Sequence, residues 1–176
     1  MRRLVSAVRS VWGRPEGRFV VLYLAILGVT FGAIAFRPVD QAVVVPFTGL
    51  VTRASGVVLG LLGEDITVRG CELSSPRFAV TIHNGCNGVI TGLIFMAGVL
   101  AFPAGWRGKA LGLAGGLAAI QGINLVRVVS LYYVGALAPE MFSSAHVWVW
   151  QSVVIVFGVA LWVLWVDCVS RPRADR

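Results

Sequence analysis

The chain has 176 residues, of which 57% are hydrophobic and 13% charged, and its formal net charge is +7. Soluble domains are about 45–50% apolar and about 25% charged. This composition therefore excludes an ordinary soluble domain and indicates one membrane-embedded unit over residues 1–176. The basic residues form short clusters beside apolar runs, with no aromatic-interleaved basic face, which argues against nucleic-acid binding.

The amino-terminal third contains one clear membrane span and one ambiguous apolar segment. Residues 1–18 form a polar, arginine-rich tail. Residues 19–36 are an apolar run that carries no charge. A span needs about 20 apolar residues, so 19–36 is predicted to be the first transmembrane helix. No A-x-A cleavage site follows, so we interpret it as a retained anchor. Residues 39–63 are apolar but contain Pro46 and Arg53, and we interpret them as an interfacial or re-entrant segment.

The segment 64–84 differs in character from its neighbours. β-Branched and polar residues nearly alternate on both sides of Ser-Ser-Pro, which predicts a small β-hairpin. Three further apolar runs predict transmembrane helices at 86–102, 110–137 and 146–167. We therefore expect an all-α integral membrane protein with about four transmembrane helices, an outer interfacial or re-entrant segment and a small extracytoplasmic β-hairpin.

The distribution of Lys and Arg predicts the orientation. Basic residues in short loops stay in the cytoplasm. Ten of them lie in the tail 1–18, the loop 103–109 and the carboxyl-terminal tail, against four in the segment 37–85. We therefore predict that both termini and the loop 103–109 are cytoplasmic and that 37–85 is extracytoplasmic. If 39–63 crossed the membrane, there would be five spans and one strongly basic end would face outward.

This topology places three reactive residues in the outer half of the membrane. Cys86 and His146 each open a helix that runs inward, and Arg127 lies about 12–15 Å below the outer end of its helix. A thiolate is the reactive form of cysteine, and a helix start or a nearby cation lowers its pKa. His146 can act as general acid and base. Arg127 can stabilise an oxyanion during acyl transfer. We therefore predict Cys86, Arg127 and His146 as catalytic residues.

Polar residues and glycines around these three positions are expected to support them. The glycines beside Cys86 allow a substrate backbone to come close. Residues 121, 124, 127 and 130 share one slowly drifting helical face, which makes a polar stripe toward the bundle interior. The predicted supporting residues are Asn84, Gly85, Asn87, Gly88, Gln121 and Asn124.

Each reactive residue also has a purely structural interpretation. Cys86 could be a small packed residue or form a disulfide with Cys71, and the odd count of three cysteines leaves at least one unpaired within the chain. His146 could belong to an aromatic interfacial belt, and Arg127 could bind a lipid headgroup. His83 is a reserve candidate for the base. No CxxC, HExxH or Cys/His cluster is present in the sequence, so neither a metal site nor another cofactor is expected.

Three motifs together resemble the exosortase/archaeosortase family. They are NGCNGV before an apolar helix, NLVRVVSL in the next helix and AHVWVWQ at the start of the following one, within residues 80–155. The resemblance implies a membrane cysteine transpeptidase in which Cys86 is the nucleophile, Arg127 the family arginine and His146 the family histidine. The chain is shorter than typical members and looks most like the compact exosortase H subfamily.

The resemblance also implies partners and a location. The substrates would carry a carboxyl-terminal signal made of a short motif, a transmembrane helix and a basic tail. The motif would be Pro-Glu-Pro or, for the compact subfamily, of the Ile-Pro-Thr-Leu type. An unknown acceptor would resolve the acyl-enzyme. The expected setting is the bacterial cytoplasmic (inner) membrane, in contact with membrane lipids, with the active site facing the periplasm and no nucleic acid involved.

Two other functions fit the residues. A non-enzymatic membrane protein, such as a small transporter subunit or an assembly factor, could use Arg127 to bind an anion or to pair within an oligomer. An intramembrane hydrolase would release its product to water, but the sequence contains no GxSG serine motif or aspartate dyad that would support the usual intramembrane protease classes. A thiol probe of Cys86 separates enzyme from non-enzyme, and product mass separates transfer from hydrolysis.

Overall fold

The computed structural model describes residues 14–83 and 85–171, which form a helical bundle with a small sheet. Within this part of the chain, four helices are long and apolar enough to cross a membrane, and a fifth is shorter. The elements are α1 (Pro15–Ala35), α2 (Arg37–Leu61), β1 (Thr67–Arg69), β2 (Glu72–Ser74), β3 (Ala79–Thr81), α3 (Val89–Ala101), α4 (Trp106–Leu137) and α5 (Pro139–Ser170).

Three of the predicted spans correspond to α1, α4 and α5, and each helix begins before its apolar run. α1 starts at Pro15, whose fixed φ suits the first helical position, and Glu16 lies in its first turn. α5 starts with a 3₁₀ turn and passes through a π-helical segment, Ala145–Trp150, before its long regular part. The apolar runs therefore predicted the helices correctly but missed their polar first turns.

The ambiguous segment 39–63 forms one unbroken helix, α2. It contains a π-helical stretch at Asp40–Val44 and continues as a regular helix to Leu61. A re-entrant segment has to reverse direction, and α2 does not, so the re-entrant alternative is wrong for these residues. With 25 residues and a mean hydropathy of 1.7, α2 is by length and composition a candidate span.

The second predicted span, 86–102, is shorter in the structure. α3 has 13 residues, which corresponds to about 20 Å of helix, whereas a hydrocarbon core is about 30 Å thick. Its last residue, Ala101, precedes the extended Phe102 and then Pro103, whose ring cannot continue a helix. The prediction that the helix begins at Cys86 is therefore wrong by three residues.

The predicted β-hairpin is a three-stranded antiparallel sheet in the order β1-β2-β3. The expected turn at Ser-Ser-Pro is present between β2 and β3, where the Ser75 N–H donates to the Phe78 carbonyl at 3.0 Å. A second turn divides the first alternating run into two strands. Gly70, with φ +60°, occupies it, and only glycine adopts that conformation without strain.

α4 is central in the bundle and contacts α2, α3 and α5, while α1 packs on α3. Near the carboxyl-terminal end of α4, a buried cluster joins α2 and the sheet to it; its members are Leu59, Leu73, Ile82, Val128 and Tyr132. A second cluster, made of Phe95, Val99 and Ile120, joins α3 to the other half of α4. These two clusters hold the loop between β3 and α3 against α4.

Candidate functional site

The loop before α3 carries Cys86 and is held in a defined shape. The Cys86 N–H donates to the His83 carbonyl at 2.8 Å. The Asn87 side-chain oxygen accepts a hydrogen bond of 3.0 Å from the N–H of Val89, the first residue of α3. Gly88 lies between them with φ +76°, a left-handed conformation that favours glycine. Cys86 therefore precedes the helix instead of opening it.

The Cys86 sulfur contacts the ring of His146, which is 60 positions away in the chain. Cys86 Sγ lies 2.6 Å from His146 Nε2. His146 belongs to the π-helical segment of α5, and the ring of Phe142 stacks on it with a centroid distance of 6.1 Å. The two rings are nearly parallel, with an interplanar angle of 15°.

The electrostatic setting of Cys86 differs from the prediction. Burial raises the pKa of the Cys86 thiol, and the positive charge of Arg127 lowers it by a smaller amount. The sequence predicted a lowered pKa, and the contribution of Arg127 has that direction, but burial outweighs it. The shift in pKa favours the neutral thiol, whose sulfur lies within hydrogen-bond distance of His146 Nε2.

Arg127 reaches the same loop from α4. It is only 3% exposed, and its Nη1 donates to the Gly85 carbonyl at 3.2 Å. Its Nε is buried and has no hydrogen-bond partner among the described residues. An uncompensated buried donor is costly, by about 1–3 kcal/mol and more for a charged group. Arg127 thus contacts the residue directly before Cys86 and has spare hydrogen-bonding capacity there.

Asn124 and Gln121 face the loop about one and two turns below Arg127. A β-carbon at Gly88 would lie 2.8 Å from Gln121 Nε2 and 3.2 Å from Asn124 Cγ, so both amides approach the loop closely. Asn124 is fully buried, and neither its Nδ2 nor its Oδ1 has a partner in the described part of the chain. The polar stripe therefore lies against the Cys86 loop. Ser130 bonds back to the Arg127 carbonyl at 2.9 Å.

A contact from α2 supports the loop on its other side. Asn87 Nδ2 donates to Thr48 Oγ1 at 2.9 Å, and Thr48 Oγ1 donates to the Val44 carbonyl at 2.8 Å. Sequence reasoning missed Thr48. The available signal was the spacing of Thr48, Thr52 and Ser55, which puts three hydroxyls on one face of an otherwise apolar helix, and all three are buried.

The remaining candidates lie elsewhere. His83 is exposed, and Asn84 falls outside the described residues. Cys71 and Cys86 are free thiols with different neighbours, since Cys71 Sγ lies 3.8 Å from the Val45 carbonyl. Cys168 is exposed. The structure thus brings Cys86, Arg127 and His146 around one loop. His83 contacts Cys86 through its backbone carbonyl while its side chain is exposed, and the other two cysteines lie outside this group.

Comparison with known proteins gives one match. A family model described as Transmembrane exosortase (Exosortase_EpsH) matches residues 3–166. The match extends well beyond residues 80–155, from which the family was predicted, and it confirms that prediction. No curated protein and no solved structure matches the chain.

Proposed function

We propose that this chain, which belongs to the transmembrane exosortase family, is a cysteine transpeptidase of the membrane. It cleaves the carboxyl-terminal sorting signals of exported proteins and transfers the released acyl group to an acceptor. The observation that carries the proposal is the contact of 2.6 Å between Cys86 Sγ and His146 Nε2. A thiol hydrogen-bonded to an imidazole is the arrangement that generates a thiolate nucleophile on demand.

The first half-reaction forms an acyl-enzyme. As Cys86 Sγ attacks the scissile carbonyl carbon, His146 Nε2 takes the thiol proton, so the raised pKa of the resting thiol is offset by direct proton transfer. The carbonyl oxygen becomes an oxyanion. When the tetrahedral intermediate collapses, the C–N bond breaks, and the imidazolium gives its proton to the leaving amine. The products are a thioester on Cys86 and a released carboxyl-terminal fragment.

The second half-reaction resolves the thioester. His146, neutral again, takes a proton from the acceptor as the acceptor attacks the thioester carbonyl. The C–S bond breaks, and the imidazolium returns its proton to the Cys86 thiolate. An amine or hydroxyl acceptor gives a transferred product, and water gives hydrolysis. The family assignment favours transfer, since acyl transfer is what the family is understood to perform.

Arg127 serves this chemistry in two ways. Its Nη1 bond to the Gly85 carbonyl holds the residue next to the nucleophile. Its buried charge lies close enough to Cys86 to lower the pKa of the thiol, and a fixed cation in a low dielectric also favours the oxyanion. The unpartnered Nε supports this assignment, because a free donor beside the loop is available to a developing negative charge.

The site faces the periplasmic side of a bacterial cytoplasmic membrane, and α2 lies along the outer interface. The sheet packs on the second half of α2: a β-carbon at Gly49 would lie 3.8 Å from the Gly70 carbonyl, and one at Gly56 would lie 2.6 Å from the Val68 side chain. A helix accompanied by a polar sheet over that length does not suit the hydrocarbon core. The charge asymmetry between loops supports the same orientation.

The test is processing of a co-expressed substrate that carries a sorting motif, a transmembrane helix and a basic tail. Cys86→Ala should abolish cleavage, whereas Cys71→Ala and Cys168→Ala should leave it intact. Product mass then separates transfer from hydrolysis. Cleavage that persists in Cys86→Ala would refute the proposal and favour a non-enzymatic role.

A further inference from the structure

A large groove lies at the end of α4 farthest from Cys86, between the first turns of α4 and the last turns of α5. Its volume is about 710 Å³, within the range of about 300–1,000 Å³ that ligand sites occupy. We call it the α4–α5 groove and define it by Arg107, Gly112, Gly115, Leu161, Trp165 and Arg171. Arg107 is 20 residues from Arg127, which is about 30 Å along a helix, so the groove is separate from the candidate site.

The floor of the groove is apolar, and α4 contributes Leu111 and several glycines to it. Gly112 is covered by Trp165, whereas a β-carbon at Gly115 would meet nothing within 4 Å. Trp165 itself is held in place, because its Nε1 donates to the Gly108 carbonyl at 3.0 Å. The groove therefore has a fixed aromatic wall and an open glycine surface, a shape that accepts a slender apolar chain.

The mouth of the groove is cationic. The Arg107 guanidinium lies 5.6 Å from the centre of the Trp106 ring, and none of the ion pairs within the described chain involves it. Arg171 also lines the groove, but it is paired with Asp167. Trp106 is 75% exposed, as is usual for tryptophan at a membrane interface. Among the residues that the structure describes, one positive charge is thus left without an acidic partner where headgroups lie.

We propose that the α4–α5 groove binds an anionic phospholipid, with its phosphate at Arg107 and one acyl chain along Gly115, beside the ring of Trp165. The two halves of this ligand match the two halves of the groove, since a guanidinium binds phosphate bidentately and the floor takes the chain. A transmembrane peptide with a basic tail does not fit, because its tail would meet Arg107 and Arg171. A free anion would bind at Arg107 but would make no contact with the apolar floor of the groove.

The role of the Arg107 charge is tested by measuring lipid binding to the purified full-length protein, by native mass spectrometry and by thermal unfolding. Phosphatidylglycerol should bind at about one molecule per chain and raise the unfolding temperature more than phosphatidylcholine does. Arg107→Gln should weaken phosphatidylglycerol binding about tenfold, the usual effect of losing one charged hydrogen bond. Arg18→Gln, which removes an exposed arginine on α1, is the matched control and should change nothing.

The floor is tested with a pair of substitutions on one helix. Gly115→Phe fills the groove, whereas Gly122→Phe adds the same ring at another open position on α4 that does not line it. Only Gly115→Phe should reduce the binding of phosphatidylglycerol. Three results would overturn the proposal: equal loss in the two phenylalanine variants, equal binding of the two lipids, or full competition by inorganic phosphate, which would indicate a free-anion site.

Discussion

The protonation state of Cys86 controls how the resting protein reacts with alkylating reagents. Burial raises the pKa of the Cys86 thiol against the smaller lowering by Arg127, and only the thiolate is alkylated. We expect slow alkylation at neutral pH, rising about tenfold per pH unit, with a midpoint above the value of about 8.5 for a free thiol. Mass spectrometry of the Cys86 peptide against a soluble reference thiol measures this. Full alkylation below pH 7 would instead indicate a thiolate–imidazolium pair at rest.

Arg127→Lys tests whether the guanidinium geometry matters. Lysine keeps the charge, but a single ammonium cannot donate to the Gly85 carbonyl and also direct further donors at a reacting oxygen. We expect substrate cleavage to fall by about 10²–10³, the usual cost of losing one oxyanion donor. Cleavage is followed as the rate of substrate processing at equal protein level.

The control for this prediction is Arg53→Lys, at an exposed arginine on α2, which should cleave at the normal rate. Thermal unfolding in detergent should be close to wild type for both variants. If Arg127→Lys also cleaves normally, Arg127 supplies only charge, and the oxyanion donors must be backbone amides of the loop from Gly85 to Gly88.

Single residues with a chemical role could be picked out from the sequence, but their contacts could not. Cys86, Arg127 and His146 each stood out as a reactive group at an unusual place in an apolar chain. Their contacts depend on how α4 and α5 pack, and no local sequence pattern contains that information. The direction of the pKa shift at Cys86 depends on the same packing, because burial and the charge of Arg127 act in opposite directions. Thr48 was missed because one hydroxyl in an apolar helix usually bonds to its own backbone, as Thr48 also does.

The junction between the loop and α3 depends on Gly88, and its substitution tests that element. At φ +76° an alanine pays about 1–2 kcal/mol for its left-handed conformation, and its β-carbon would lie 3.2 Å from Asn124 Cγ. Gly88→Ala should therefore lower the unfolding temperature and slow cleavage. Gly85→Ala is the matched control, because a β-carbon there meets nothing within 4 Å. Equal unfolding temperatures for the two variants would show that the junction is not constrained.

Apolar runs predicted where the helices are, but not how far they extend. α1 and α4 begin four residues before their predicted starts, at 15–18 and 106–109, because polar and basic residues form helical turns as readily as apolar ones. α3 is shorter than its apolar run because Asn87 and Gly88 build a turn first. The extra strand arises from Gly70, whose positive φ divides one alternating run into two strands.

The short α3 has a consequence for the depth of the site. α3 is about 20 Å long, and the hydrocarbon core is about 30 Å thick. If the inner end of α3 reaches the inner boundary of the core, the Cys86 loop therefore lies about 10 Å below the outer boundary. Arg127 lies ten residues before the end of α4 at Leu137, which places it about 15 Å below that helix end. Both lengths place the site below the outer surface, and we infer that the proposed substrate has to enter the outer leaflet to reach Cys86.

The orientation of the whole molecule depends on whether α2 crosses the membrane. Its length and composition allow a crossing, but a crossing would place the sheet and the Cys86 loop on the cytoplasmic side and would expose the basic carboxyl-terminal tail outside. The asymmetry of ten basic residues against four argues for the opposite arrangement, in which α2 stays at the outer interface. Reporters inserted after Gly70, in an exposed turn with open space around it, and after the last residue distinguish the two.

We expect the reporter at Gly70 to be extracytoplasmic and the one at the carboxyl terminus to be cytoplasmic. Because α1, α3, α4 and α5 then cross once each, a third reporter in the loop between α3 and α4 should also be cytoplasmic. The reverse assignment at all three positions would mean that α2 crosses and that Cys86 faces the cytoplasm, which would contradict the proposed action on exported proteins. Reporters at Gly70 and the carboxyl terminus on one side would contradict both arrangements, because either leaves three crossings between them.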